Sequence, residues 1–389
     1  MYEGKLVFAQ PMDQLPMHSL RRAVERFDGD RGVKSFSCQD QFRCMAFGQL
    51  TYRESLRDMV TCLNAQSSKL YHMGLRSEVR RSTLADANET RDWRIYASFA
   101  ASLIAEARTL YAGDPQLPEI TGAAYALDTS TIDLCLSLFP WAPFERSRGA
   151  VKLHTQIDLR GNIPVLVHID HGRSYDTDIL DVMMPEPGAV YVMDRGYLDF
   201  PRLHRLSEAA AYFVVRAKKN LVFRRMLSRS VDRTTGVICD QTVRPAFAKT
   251  AKKYPGRLRR VRYRDPESGK ALEFLTNNFV LAPLTIAEIY RRRWQIELFF
   301  KWIKQNLRIK AFYGTSANAV KTQIWIAVSV YVLIAIIKKR LRLRASLYTI
   351  LQVLSISIFE KIPIDQLLDE TPPPIRDYPV DKQLNLFDN

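Results

Sequence analysis

The order of apolar runs between residues 120 and 216 restricts the fold more than any other feature of the chain. Residues 123–130, 151–159 and 163–169 read as three successive strands, with Arg160-Gly161-Asn162 as a hairpin turn between the last two. Residues 189–194 and 211–216 read as two more strands, and helical patterns at 176–183 and 200–210 fall around them. Strands joined by a short turn pair antiparallel, whereas strands separated by helices can return parallel. The expected result is an α/β sheet carrying helices.

Helical sequence flanks this region on both sides. Residues 1–112 are read as a helical N-terminal domain, punctuated at Gly29-Asp30-Arg31-Gly32. Ser37-Cys38-Gln39-Asp40 and Thr51-Tyr52-Arg53-Glu54 resemble helix N-caps, the second as a full capping box. Short and long helices are expected from residue 82 and over 91–111; a DNA-binding module and a plain helical cap fit equally well. Gly113-Asp114-Pro115-Gln116-Leu117-Pro118 marks a boundary. After residue 288 the pattern is helical again, over 324–340 and 346–360, until the prolines of 371–375 stop it and leave a tail expected to be mobile. The longest apolar run, 324–337, falls short of the roughly 20 residues that span a bilayer, so a buried helix is expected rather than a membrane segment. Residues 1–10 carry Glu3 and Lys5 and no sustained apolar stretch, which points to a cytoplasmic protein.

The 389-residue chain has a formal charge of +16, and residues 216–270 hold 17 Lys or Arg against 4 Asp or Glu. Concentrated positive charge points to a polyanionic partner, because neutralising phosphates releases condensed counterions. Arg260, Arg262 and Arg264 alternate with Val261 and Tyr263, which on a strand puts three guanidiniums on one face. Such a face contacts phosphate or blunts a solvated edge strand. The five cysteines are scattered without a Cys-x-x-Cys pair, so neither a disulfide framework nor a zinc site is expected.

In residues 290–304, Tyr290, Arg293, Glu297 and Lys304 fall within roughly 60° of one another at about 100° per residue, with Lys301 beside them. Ile289, Ile296, Phe300, Ile303 and Leu307 form a neighbouring apolar strip that would dock the helix. One carboxylate among several cations can serve as a metal ligand beside phosphate-binding groups, or as part of a solvated salt-bridged helix. Two further acids are candidates to join it. Asp128 and Asp194 each end an apolar strand beside small or β-branched neighbours. Asp133 ranks lower because it would lie beyond the first strand. Lys152 and His154 could face the same cleft, although His154 reads better as an ordinary core histidine.

The spacing Tyr290-x2-Arg293-x3-Glu297-x6-Lys304, with Leu127-Asp128-Thr129-Ser130 and Asp194-Arg195-Gly196-Tyr197, resembles the insertion-sequence DDE transposases of the IS-four type. Nearly the whole chain is similar, including Phe8-Ala9-Gln10, residues 33–38 and the tail 383–388. The resemblance implies an RNase H-like catalytic domain over 120–215 and 272–312, a basic, mostly β insertion over 216–271, and C-terminal helices over 313–389. It implies that Asp128, Asp194 and Glu297 bind two Mg²⁺ ions, or Mn²⁺ in their place. Tyr290, Arg293 and Lys304 would then hold phosphates of double-stranded DNA, both terminal inverted repeats and target. Lys301, Arg260, Arg262 and Arg264 extend that surface, and a homodimer on DNA is implied. Relatives of this type often pass through a DNA hairpin in which a flipped base stacks on an aromatic ring. Here no Trp lies between Trp141 and Trp294, which leaves Phe223, Phe247, Tyr254, Tyr263 or Trp294 for that role. A nuclease without strand transfer and a transposase-derived DNA-binding regulator remain as rival readings.

Overall fold

The computed structural model describes residues 4–114, 119–145, 148–306 and 312–369. Nine strands form one sheet in the order β3-β2-β1-β4-β5-β9-β8-β7-β6. β1 (Ala124–Leu134), β2 (Gly149–Asp158) and β3 (Ile163–His171) make an antiparallel meander. β4 (Val190–Met193) and β5 (Tyr212–Arg216) then run parallel to β1, as helix-separated strands should. The chain is therefore an α/β protein.

Period-two alternation divides this sheet into two buried faces. On one, Ala126, Val151, Leu153 and Ile157 join a core with Ile296, Phe299 and Ile303, while Val190, Val192 and Val214 pack with Ile286, Ala287 and Ile289. On the other, Tyr125, Leu127, Tyr191 and Met193 pack against Leu203 and Leu206 of the Phe200–Glu208 helix. Helices on both faces leave the strand ends as the open part of the sheet.

The basic stretch does not form a separate sheet. β6 (Phe223–Arg229), β7 (Val237–Pro245), β8 (Leu258–Arg264) and β9 (Ala271–Thr276) form an antiparallel meander, and β9 pairs with β5 to extend the central sheet. β8 is consequently an interior strand, and β6 is the charged edge, which corrects the edge-strand reading of Arg260 to Arg264. Sequence alternation also overlooked Arg259. It is buried against Asp240 at 2.9 Å and donates further hydrogen bonds to the Asn278 and Leu281 carbonyls.

Two boundaries differ from expectation. β1 continues to Leu134 because β2 pairs with it throughout, so Asp128 lies within the strand and Asp133 does too, ion-paired with Arg148. Thr51 closes the Cys38–Leu50 helix instead of opening the next one. Its hydroxyl donates to the Phe47 carbonyl, and Tyr52 turns the chain with a φ of 56°. Ser55 caps the Leu56–Asn64 helix instead, whereas Ser37 and Asp40 do form a capping box.

The helices of the first hundred residues pack around Ala317–Arg340, a 24-residue helix long and apolar enough to cross a membrane but buried inside the molecule over 89% of its most apolar stretch. Tyr111 donates to the Ala335 carbonyl across this contact, and Asn318 bonds the Asn88 and Arg91 carbonyls. One continuous core accordingly runs from Leu6 to Leu368. Leu307, the boundary residues 115–118, the prolines of 371–375 and the tail 383–388 lie outside the described residues.

Candidate active site

The β1–β4 ladder ends at the pair Leu127 and Met193, so Asp128 and Asp194 are each the next residue along two neighbouring parallel strands. Both share the face that carries Ala126 and Val192. Each carboxylate is fixed locally: Asp128 accepts from the Thr129 N–H at 2.8 Å, and Asp194 from the Gly196 N–H at 2.7 Å. At Gly196 a Cβ would come within 2.9 Å of the Asp194 carboxylate, so this turn favours glycine.

Glu297 sits on a helix that packs against the same face, and Arg293 links it to Asp128. That helix is not the uninterrupted α-helix that the sector arithmetic assumes. Pro283–Arg292 and Trp294–Lys301 meet at Arg293, where the Arg293 and Ile296 amides bond three residues back, and Trp302–Asn306 opens into a π-turn. Tightening and then loosening the helix alters the predicted angles, yet the i,i+4 relation of Arg293 and Glu297 survives. Lys304, in the π-turn, donates to the Thr131 carbonyl of β1 at 2.7 Å.

Arg293 joins the acids. Its guanidinium donates to Asp128 at 2.9 Å and to Glu297 at 2.5 Å, with only 14% of the side chain exposed. Burial raises the Asp128 pKa to about 6; Arg293 and the Thr129 amide oppose that shift, and the charges of Asp194 and Glu297 add to it. Asp128 therefore feels the charge of both other acids. Among the described residues no three His, Cys, Asp or Glu side chains are close enough to hold a metal ion. Arg293 supplies the positive charge between two of the acids, and carboxylate oxygens are donors that suit a hard divalent cation.

Comparison with known proteins decides the family. Residues 123–333 match the Transposase DDE domain family, a span that contains all three acids. A Sinorhizobium fredii protein named as a transposase is 31% identical over 75% of this chain and 80% of its own length. The chain belongs to the DDE transposase family. A Geobacillus stearothermophilus protein named as a transposase for an insertion sequence element is 31% identical over 54% of this chain and 55% of its own. A Synechocystis protein with a similar name is 25% identical over 69% and 75%. Residues 3–76 also match a family described only as a domain of unknown function.

The remaining candidates of this DDE transposase differ in what they touch. Tyr290 packs its ring on Phe274, at 4.6 Å between centroids, and under the Arg293 guanidinium at 5.7 Å. Arg293, Tyr290, Tyr263 and Trp294 together line a cavity of about 300 Å³. Lys301 is exposed and lines a different cavity with Trp302 and Tyr348. Arg260 and Arg262 both lean on Glu273, at 2.8 and 3.7 Å, while Arg264 is exposed. Tyr254 is a core residue bonded to Ser207, which removes it from the stacking candidates.

Lys152 and His154 face away from the acids, because their β1 partners are Thr131 and Thr129. Lys152 pairs with Asp176 at 2.8 Å. His154 is buried, which lowers its pKa to about 4, and contacts Thr129 and Ser174. Thr129 and Tyr197 were readable only as neighbours of the motif acids; their side chains meet at 2.8 Å.

Proposed function

We propose that this DNA transposase cuts and joins DNA at an RNase H-like site in which Asp128, Asp194 and Glu297 hold two divalent cations, Mg²⁺ or Mn²⁺. The carrying observation is the Arg293 bridge, which reaches Asp128 across 165 residues of sequence and ties it to Glu297, while Asp194 stands beside Asp128. The β3-β2-β1-β4-β5 order, antiparallel then parallel, supports the RNase H-like reading. When bound, the cations would activate the attacking water or 3′-hydroxyl and stabilise the leaving 3′ oxygen.

The chain's own residues supply the rest. Asp128, Asp194 and Glu297 offer carboxylate oxygens from two strands and one helix, so the donor set is placed by rigid elements. Arg293 balances that charge and can turn to a phosphate oxygen once cations take over its role. Tyr290, whose ring lies under the Arg293 guanidinium, and Lys304 would orient the phosphodiester in line. The exposed Arg264, and Lys301 on the neighbouring surface, would extend the contact to the duplex, with Arg260 and Arg262 available if Glu273 releases them. Tyr263 and Trp294 line the cavity next to Arg293 and are the favoured aromatics for a flipped base.

In this reading, residues 1–112 engage the DNA end and 216–271 form the basic insertion within a catalytic region of 120–215 and 272–312. Residues 313–389 form the C-terminal helices and tail, of which Ala317–Arg340 packs against the N-terminal helices. The substrates are terminal inverted repeats and target DNA, gripped by a homodimer. The test uses linear DNA carrying the sequences that flank the open reading frame, incubated with the protein and Mg²⁺. Strand cleavage at the element boundary followed by joining to target supports the proposal. Cleavage without joining favours a nuclease, and binding with neither favours a regulator.

A further inference from the structure

The β1–β4 ladder ends at Leu127 and Met193, one residue before Asp128 and Asp194. A side-chain cross-link on the reverse face joins their neighbours. Thr129, directly after Asp128, meets the hydroxyl of Tyr197, which closes the turn after Asp194. Tyr197 is 1% exposed, and burial raises its pKa well above the ordinary tyrosine value, so the phenol stays protonated.

The direction of every bond in this chain can be deduced. Ser174 donates its hydroxyl hydrogen to the His171 carbonyl at 3.0 Å, so towards His154 Nε2 it can only accept. His154 must then carry its proton on Nε2, leaving Nδ1 as an acceptor. Thr129, 2.8 Å from Nδ1, donates its single hydroxyl hydrogen there. The Thr129 oxygen is consequently free to accept from Tyr197. Tyr197, Thr129, His154 and Ser174 form one relay of hydrogen bonds.

We propose that Thr129 and Tyr197 are positioning residues that set the Asp128–Asp194 separation, and hence divalent-cation affinity, with His154 fixing the Thr129 hydroxyl. The inference rests on the reading of those acids as metal ligands. Partners behind metal ligands of this kind typically contribute 10- to 100-fold in affinity.

The test is Mn²⁺ binding to the full-length protein by titration calorimetry, with thermal melting of each variant as a control. Tyr197→Phe and Thr129→Val should each weaken Mn²⁺ binding by about tenfold. The double variant should lose little more than Thr129→Val alone, because that change already removes the bond to Tyr197 along with the one to His154. Thr129→Ser, which keeps the hydroxyl, should bind nearly as the wild type does. Should Tyr197→Phe fail to fold, Thr129→Val against Thr129→Ser reads the same cross-link from β1. Wild-type Mn²⁺ affinity in Tyr197→Phe or Thr129→Val, or fully additive losses in the double variant, would overturn the proposal. Asp194→Asn separates the two levels. If it abolishes binding while Tyr197→Phe leaves binding intact, the cross-link alone is wrong; if Asp194→Asn is also without effect, the ligand reading fails first.

Discussion

Arg293 donates to Asp128 at 2.9 Å while its other terminal nitrogen bonds Glu297, so one guanidinium spans the strand and the helix that carry two of the acids. A cation therefore already occupies the place between two carboxylates. Arg293→Ala should tighten Mn²⁺ binding in the absence of DNA, since the ions no longer compete with a tethered charge. The same variant should bind DNA ends more weakly, with a salt slope shallower by about one. Calorimetry and a salt series of binding curves read the two effects separately.

Asp128→Asn, Asp194→Asn and Glu297→Gln should each reduce cleavage on the order of 10³-fold or more, without weakening DNA binding. Removing a negative charge from a surface that meets phosphate lessens repulsion. Gel-shift titration alongside single-turnover cleavage would show the two quantities diverging.

The raised pKa of Asp128, about 6, gives a pH signature. Between the ordinary carboxylate value near 4 and that figure, the folded protein holds a proton that the unfolded chain has released, so stability falls as pH rises through this window. Asp128→Asn should thus raise the Tm at pH 8 relative to wild type by more than at pH 4. Divalent-cation binding should weaken as pH falls through 6, because the ion competes with the proton.

Buried Arg259 ties β8 to Asp240 and to the loop that precedes the Pro283–Arg292 helix. Arg259→Ala should cost on the order of 3 kcal/mol, since it strips Asp240 of its best partner and leaves two carbonyls unanswered. Urea denaturation measures this loss. Arg264→Ala, at an exposed site, should leave the denaturation midpoint unchanged.

What was legible in the sequence was periodic or local. The order of β1 to β5, the helices between them and the i,i+4 pairing of Arg293 with Glu297 follow from alternation and turn chemistry. Strand extents did not, because β1 persists past Asp128 only by virtue of β2, a partner that no local pattern names. The fusion of β6–β9 with the central sheet depends on β9 pairing with β5, again a long-range event. Arg259 was hidden because an arginine on the apolar face of an alternating strand looks misplaced until its partner, Asp240, is seen. The break at Arg293 escaped notice because no Gly or Pro marks it. At the site, the Thr129–Tyr197 contact lies on the reverse of the sheet, where sequence offers only two hydroxyls of unremarkable spacing.

The central claim is that three distant acids share divalent cations, and anomalous diffraction from Mn²⁺ in crystals of the protein with a DNA end tests it most directly. Two Mn²⁺ peaks in contact with Asp128, Asp194 and Glu297 are expected, with Arg293 turned towards phosphate. Mn²⁺ peaks located away from these side chains, with the Arg293 bridge intact in the DNA complex, would contradict it.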